Sequence, residues 1–218
     1  MKTDYTEMFN YVKERLAGRD VEATYIDRFP FRRRSNHTWR VFKWAERLVQ
    51  QENLPAELDH EAVLVAAIFH DVGYAIKPEV RTHDEHAVFS VQVFDEYAAD
   101  HPFPPEQTER FAWLIRHHSD KQRMKEPDIP LDLLLVMEAD IMDETGALGM
   151  VWDCLYVGTK ADPSYEKALE HLQQYSGAFL LDNPMVTPLA RRIWEKKQNL
   201  IREFLDQLAE DLWLGDPG

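Results

Sequence analysis

Ala62-Val63-Leu64-Val65-Ala66-Ala67-Ile68-Phe69 is the longest apolar run of the chain, and it ends on His70-Asp71. Asp59 stands ahead of it as a helix cap and Gly73 follows as a stop signal, so the run predicts a helix from about His60 to Asp71. It is apolar on every side, which marks a central helix covered by others rather than one face of a surface helix. Eight residues fall far short of the roughly 20 that a membrane helix needs. Working outward, the same 3.6-residue periodicity recurs and no series of strands appears.

Upstream, Thr6 to Leu16 reads as a first helix closed by Gly18, and residues 20 to 35 read as a loop around Pro30 and Arg32-Arg33-Arg34. Asn36 is the expected cap of a helix from His37 to about Gln51. Downstream, helices are expected from about Asp84 to Ala99, Glu106 to His118 and Leu131 to Asp143. Gly146, Gly149 and Gly158 punctuate the next stretch, Pro163 starts a helix to about Tyr175, and a long helix runs from about Thr187 to Trp213. There is no repeat and no low-complexity linker, so residues 1–218 are expected to form one all-α domain, a globular helical bundle.

Composition narrows the function. Hydrophobic residues make up 44% of the 218, enough for a full core. Acidic residues outnumber basic ones 39 to 25, a formal charge of −14. That argues against broad binding of extended nucleic acid, which needs a basic surface, but leaves room for a single nucleotide held by local cations. The lone Cys154 forms no intrachain disulfide and no CxxC metal site, which suits a reducing cytoplasm. Met1-Lys2-Thr3-Asp4-Tyr5 lacks the apolar stretch of a signal peptide, and no membrane association is expected.

The chemistry lies in inward-facing ligands. An ionised aspartate at the end of the most apolar helix costs several kcal/mol unless it is paired or bound to metal. His-Asp is a weak motif alone, but other helices point in the same direction. His37 shares a face with Val41, Ala45 and Leu48; Asp140 shares one with Leu133, Val136 and Met137. His86 aligns with Phe89, Ser90, Val93 and Tyr97, and His118 with Phe111, Leu114 and Ile115. A single inward histidine is usually a satisfied core residue; several on separate helices, with a His-Asp pair, point to a metal.

The order His37, His70-Asp71, Asp140 resembles the H…HD…D signature of the HD superfamily of metal-dependent phosphohydrolases. Residues 66–73, AAIFHDVG, resemble its AALLHDIG, and His37-Thr38-Trp39-Arg40-Val41 its HxxRV. His86-Ala87-Val88-Phe89-Ser90 and Ile115-Arg116-His117-His118-Ser119 are similar to its HAxxS and IxxHS elements. Residues 138–149, EADIMDETGALG, resemble the DADRLDAIGAIG of a bacterial stand-alone subgroup, with Glu138 and Ile141 in place of its first Asp and its Arg. The likeness covers about residues 35–210.

The resemblance implies a divalent metal on His37, His70, Asp71 and Asp140, activating water against a phosphoester or pyrophosphate bond, with a small phosphorylated substrate such as a nucleotide. These N and O donors suit Mn, Fe, Co, Ni or Zn better than Mg alone. Asp71, His86 and His118 are the catalytic candidates. The two histidines either join Asp71 at a second metal or stay unligated to contact phosphate and move protons. Helical phase and Ser119 favour His118 over His117. Arg40 and Lys77 are the expected substrate cations; the Arg32-Arg33-Arg34 run reads first as ordinary solvated charge, and Asp143 as a neighbour orienting a ligand. Two other readings remain, a mixed-valent di-iron oxygenase and a non-catalytic metal-stabilised sensor or binding domain, and the oligomeric state is open.

Overall fold

The computed structural model describes residues 3–26, 33–76, 83–143 and 145–215; among them there are helices and turns and no strand. Chain contacts gather into two compact units, Met1–Asp140 and Ile141–Gly218. None of the described helices is long and apolar enough to cross a membrane.

The first unit is built around the predicted central helix. It holds α1 (Tyr5–Ile26), α2 (Arg34–Leu48), α3 (His60–Phe69), α4 (His83–Asp100) and α5 (Pro105–His117), and α6 (Leu131–Met142) runs to its end. Asp59 caps α3, its side chain accepting from the Ala62 amide at 2.9 Å, and Ala62 through Phe69 are all buried. Helices α1, α2 and α5 pack on α3. Phe69 meets Phe94 edge-on, with ring centroids 5.3 Å apart, and Phe94 meets Phe111 at 6.0 Å, so aromatic contacts tie α3, α4 and α5 into one core.

Several expected boundaries moved. Helix α1 passes straight through Gly18. Glycine inside a helix costs about 1 kcal/mol and does not by itself end one, and Met8, Val12 and Leu16 anchor the preceding turns at helical spacing. Helix α2 starts at Arg34, with Arg33 at the cap position, so Asn36 lies inside the helix rather than capping it. That shift brings Arg34 into the first turn.

In the second unit, α7 (Ala147–Gly158), α8 (Tyr165–Gln174) and α9 (Pro188–Gly215) surround Met150, Leu172, Ile201 and Leu205. Helix α7 occupies the stretch that its glycines had marked as broken. Gly146 precedes it at φ 76°, a left-handed conformation that favours glycine. Ser164, not Pro163, sets the start of α8, its hydroxyl accepting from the Lys167 amide.

Candidate metal centre

Helix α2 supplies the first histidine. His37, Val41, Ala45 and Leu48 fall on one face and are all buried, the face that the sequence phase predicts. Helix α3 supplies the second, because its apolar turns carry the chain inward until His70 and Asp71 are buried. A 3-10 turn, Val72–Ala75, then packs on α4. Gly73 makes this possible: a Cβ there would overlap the His86 carbonyl and the Ser90 amide of α4. Gly73 instead donates its amide to Ser90 Oγ at 2.8 Å, and Ser90 donates its hydroxyl to the His70 carbonyl at 2.7 Å. One serine thus locks the His-Asp turn to the helix that carries His86.

The donors converge. His37 Nε2 lies 3.3 Å from Asp140 Oδ1, 3.4 Å from Asp71 Oδ2 and 3.3 Å from His70 Nε2. His70 Nε2 is 3.6 Å from Asp71 Oδ2 and 3.8 Å from Asp140 Oδ1. The other Asp71 oxygen, Oδ1, faces His86 Nε2 at 3.2 Å and His118 Nε2 at 3.7 Å, and those two nitrogens are 3.1 Å apart. Asp71 therefore stands between two histidine pairs. His118 is 1% exposed, whereas His117 is half-buried against Trp113.

Protonation follows from burial. Burial pulls the His70 imidazole down to about 4, against the attraction of Asp71 and Asp140, so it is neutral at physiological pH. Burial also lowers His118, opposed by the pull of the nearby Asp71 carboxylate on its protonated form. Both rings sit with Nδ1 on a carbonyl of their own helix, His70 on Ala67 at 2.9 Å and His118 on Ile115 at 2.7 Å. In the neutral ring that bond takes the Nδ1 proton and leaves a bare Nε2 lone pair aimed inward. Burial would raise the Asp71 carboxyl, but His70 and Arg34 outweigh it and hold it well below the usual carboxylate range. Asp140 behaves alike: burial is outweighed first by Lys121, then by His37 and His70.

These residues fit a divalent cation. Ligand atoms of His37, His70 and Asp140 lie within 4.8 Å of one another, as do those of His70, Asp71 and His118. Bare imidazole nitrogens and ionised carboxylates aimed at one point repel each other unless a proton or metal ion lies among them. Mixed N and O donors are the set that first-row transition ions take.

Three neighbours carry no signal in the sequence or read there as ordinary charge. Arg34 Nη1 lies 2.7 Å from Asp71 Oδ2; it belongs to the arginine run read as solvated charge, yet it stands one turn before His37 on the same helix. Tyr74, from the 3-10 turn, stacks on His86 with centroids 4.7 Å apart and carries the Arg34 guanidinium 4.3 Å from its ring centre. Lys121 Nζ lies 2.7 Å from Asp140 Oδ2. Arg40 is half-buried one turn beyond His37, and Lys77 lies outside the described residues. Asp143 is buried in the second unit, where Lys197 feels its charge.

Helices that bring histidines and aspartates from separate segments onto a His-Asp pair define a recognisable class. Residues 34–145, just over half of the chain, match the HD domain, and the chain belongs to that family. The fold recurs in solved structures. Bacillus subtilis YpgQ is 20% identical, with 98% of this chain and 96% of that one covered at a TM-score of 0.63. YpgQ in complex with ADP gives 19%, 98%, 95% and 0.62. A predicted HD superfamily hydrolase from an uncultured Thermotogales bacterium is 18% identical, with 95% and 92% covered at 0.61. No curated protein matches the chain significantly.

Proposed function

We propose that the chain is a metal-dependent phosphohydrolase that cleaves a phosphoester or pyrophosphate bond of a nucleotide. The observation that carries this is the gathering of ligand atoms from His37, His70 and Asp140 on one place, with Asp71 Oδ2 3.4 Å from His37 and 3.6 Å from His70 beside it. A divalent cation held there supplies Lewis acidity, lowering the pKa of bound water and offsetting charge at phosphorus. The imidazole-rich donors favour Mn, Fe, Co, Ni or Zn over Mg alone.

The chain's own residues do the rest. Asp71 holds its ionised form through Arg34 and presents an oxygen to each histidine pair. His86 and His118 meet at Asp71 Oδ1, where an imidazole can take a proton and the resulting imidazolium return it. Arg34 faces the centre from α2 as a donor to a substrate oxyanion. Arg40 and Lys77 are the further cations we assign to the substrate. The net charge of −14 favours a small nucleotide over a polymer, and ADP bound to YpgQ, a protein of the same fold, supports that choice.

Screening the purified protein against nucleotides and phosphodiesters with Mn, Co, Ni and Mg in parallel tests this. We expect release of phosphate or a nucleoside phosphate that needs one of these ions and is lost in Asp71→Ala; full turnover in that variant would refute the assignment. The placement of Asp71 between two histidine pairs favours one other reading, a two-iron oxygenase. Two bound irons and oxygen uptake without phosphate release would move the assignment there. Metal binding without any turnover would leave a sensor or binding domain.

A further inference from the structure

Lys121-Gln122-Arg123-Met124-Lys125 places three cations within five residues of a chain whose net charge is −14. The segment is a 3-10 turn just after α5. Met124 is 4% exposed and anchors it, and the Lys121 amide donates to the Ser119 carbonyl at 2.9 Å. His118 and Lys121 thus hang from the same fixed end of α5. Arg123 turns to Glu126, at 3.1 Å, and to the Trp113 ring, at 5.6 Å. Lys121 reaches the centre.

Asp140 divides its oxygens. Oδ1 faces His37 inside, and Oδ2 accepts from Lys121 Nζ at 2.7 Å. The Lys121 side chain is 30% exposed and that of Asp140 21%, so the ammonium lies where the buried donors give way to solvent. A partly exposed ion pair adds little stability, so support of the fold is a weak reason for a lysine here. An ammonium has three N–H donors, and Asp140 is its one side-chain partner among the described residues. Donors remain for an anion approaching the centre from outside.

We infer that Lys121 is a substrate-binding residue. Its bond to Asp140 keeps the ammonium in place, and a remaining N–H takes a phosphoryl oxygen at the mouth of the centre. With Arg34 on Asp71 Oδ2, each ligating carboxylate then has a cation beside it, and the phosphate is held from two sides. The inference rests on the phosphohydrolase reading for its substrate, but the anion site is open to measurement without turnover.

The test is calorimetric titration of inorganic phosphate into the Mn-loaded protein, for wild type, Lys121→Met and Lys121→Arg. Losing one charge-assisted hydrogen bond should weaken phosphate binding in Lys121→Met by roughly ten- to a hundredfold, and Lys121→Arg should recover most of it. The Mn affinity of Lys121→Met should stay level or tighten, because a repelling cation has gone. Wild-type protein that binds no phosphate, or equal phosphate affinity in wild type and Lys121→Met, would overturn the inference. So would a fall in Mn affinity in step with that for phosphate, which would make Lys121 a prop for Asp140. If methionine disturbs the turn, Lys121→Gln repeats the comparison. On a hydrolysed substrate, KM should rise with kcat little changed. Absence of all wild-type turnover would count against the hydrolase reading, while the phosphate titration still judges Lys121.

Discussion

Both units contain a buried aspartate beside histidine, and the two behave in opposite ways. In the first, Asp71 is held well below the usual carboxylate range because His70 and Arg34 overcome the effect of burial. In the second, burial prevails and pushes Asp153 up. Asp153 gives one oxygen to the Ser176 hydroxyl at 2.6 Å and the other to His171 Nε2 at 3.3 Å. Among the described residues each of its oxygens meets a single neighbour, which makes it a tie between α7 and the segment that follows it. Asp71 instead meets more nitrogen atoms than a carboxylate can serve, those of His70 and His118 being bare. Residue type does not separate a site from a structural tie; the excess of converging donors does.

The sharpest way to break that contrast is to remove each aspartate. Asp71→Ala should cost more than the roughly 10–100-fold that losing an orienting neighbour costs a metal site, abolishing metal-dependent turnover while circular dichroism stays helical. Asp153→Ala should leave metal titrations unchanged and lower unfolding free energy by about 2–3 kcal/mol, since Ser176 and His171 lose a buried charged partner. Urea denaturation beside metal titration of both variants reads the two effects. Reversed outcomes would mean that the functional centre had been assigned to the wrong unit.

Gly73→Ala sharpens the contrast from within the first unit. The added Cβ has only α4 backbone to meet, so the turn must move away from Ser90. The expected cost is about 1–3 kcal/mol, accompanied by weaker metal binding, because the His70 carbonyl is tied to that serine. Loss of stability with unchanged metal affinity would show that the ligands do not depend on the Ser90 lock.

How far the sequence revealed this depended on whether a signal was local. Helical phase placed His37 with Val41, Ala45 and Leu48, and the unbroken run before His70-Asp71 marked the central helix, because burial of a periodic face is written into neighbouring residues. Arg34 carries no signal in a helix expected from His37; with α2 beginning at Arg34, the i, i+3 spacing puts both side chains on one face. Gly73 reads in the sequence as a helix stop, but its constraint is the approach of α4, seventeen residues away at Ser90. Lys121 gave no periodic signal, since a 3-10 turn packed by one methionine sets its direction. Helix α7 was hidden by its glycines, although Gly149 lies within it at no visible expense to the fold.

The smallest expected effect concerns pH and applies to Asp153. An acid whose folded pKa is raised binds its proton more tightly in the folded chain than in the unfolded one. Its stabilising share is therefore full below the unfolded value, near 3.8, and is lost as pH rises through the folded value. Asp71 and Asp140 run the other way: their pKa values are lowered, so their share is present above that ordinary value and is lost as pH falls through the folded ones. Asp153→Asn keeps the shape and removes one titration, so the stability difference between wild type and variant should shrink as pH rises from about 4 toward 6. Urea midpoints of the two proteins at both pH values measure it. A difference that instead widened with pH would mean that Asp153 is held ionised by His171, as Asp71 is by its cations, and the distinction drawn between the two aspartates would fail.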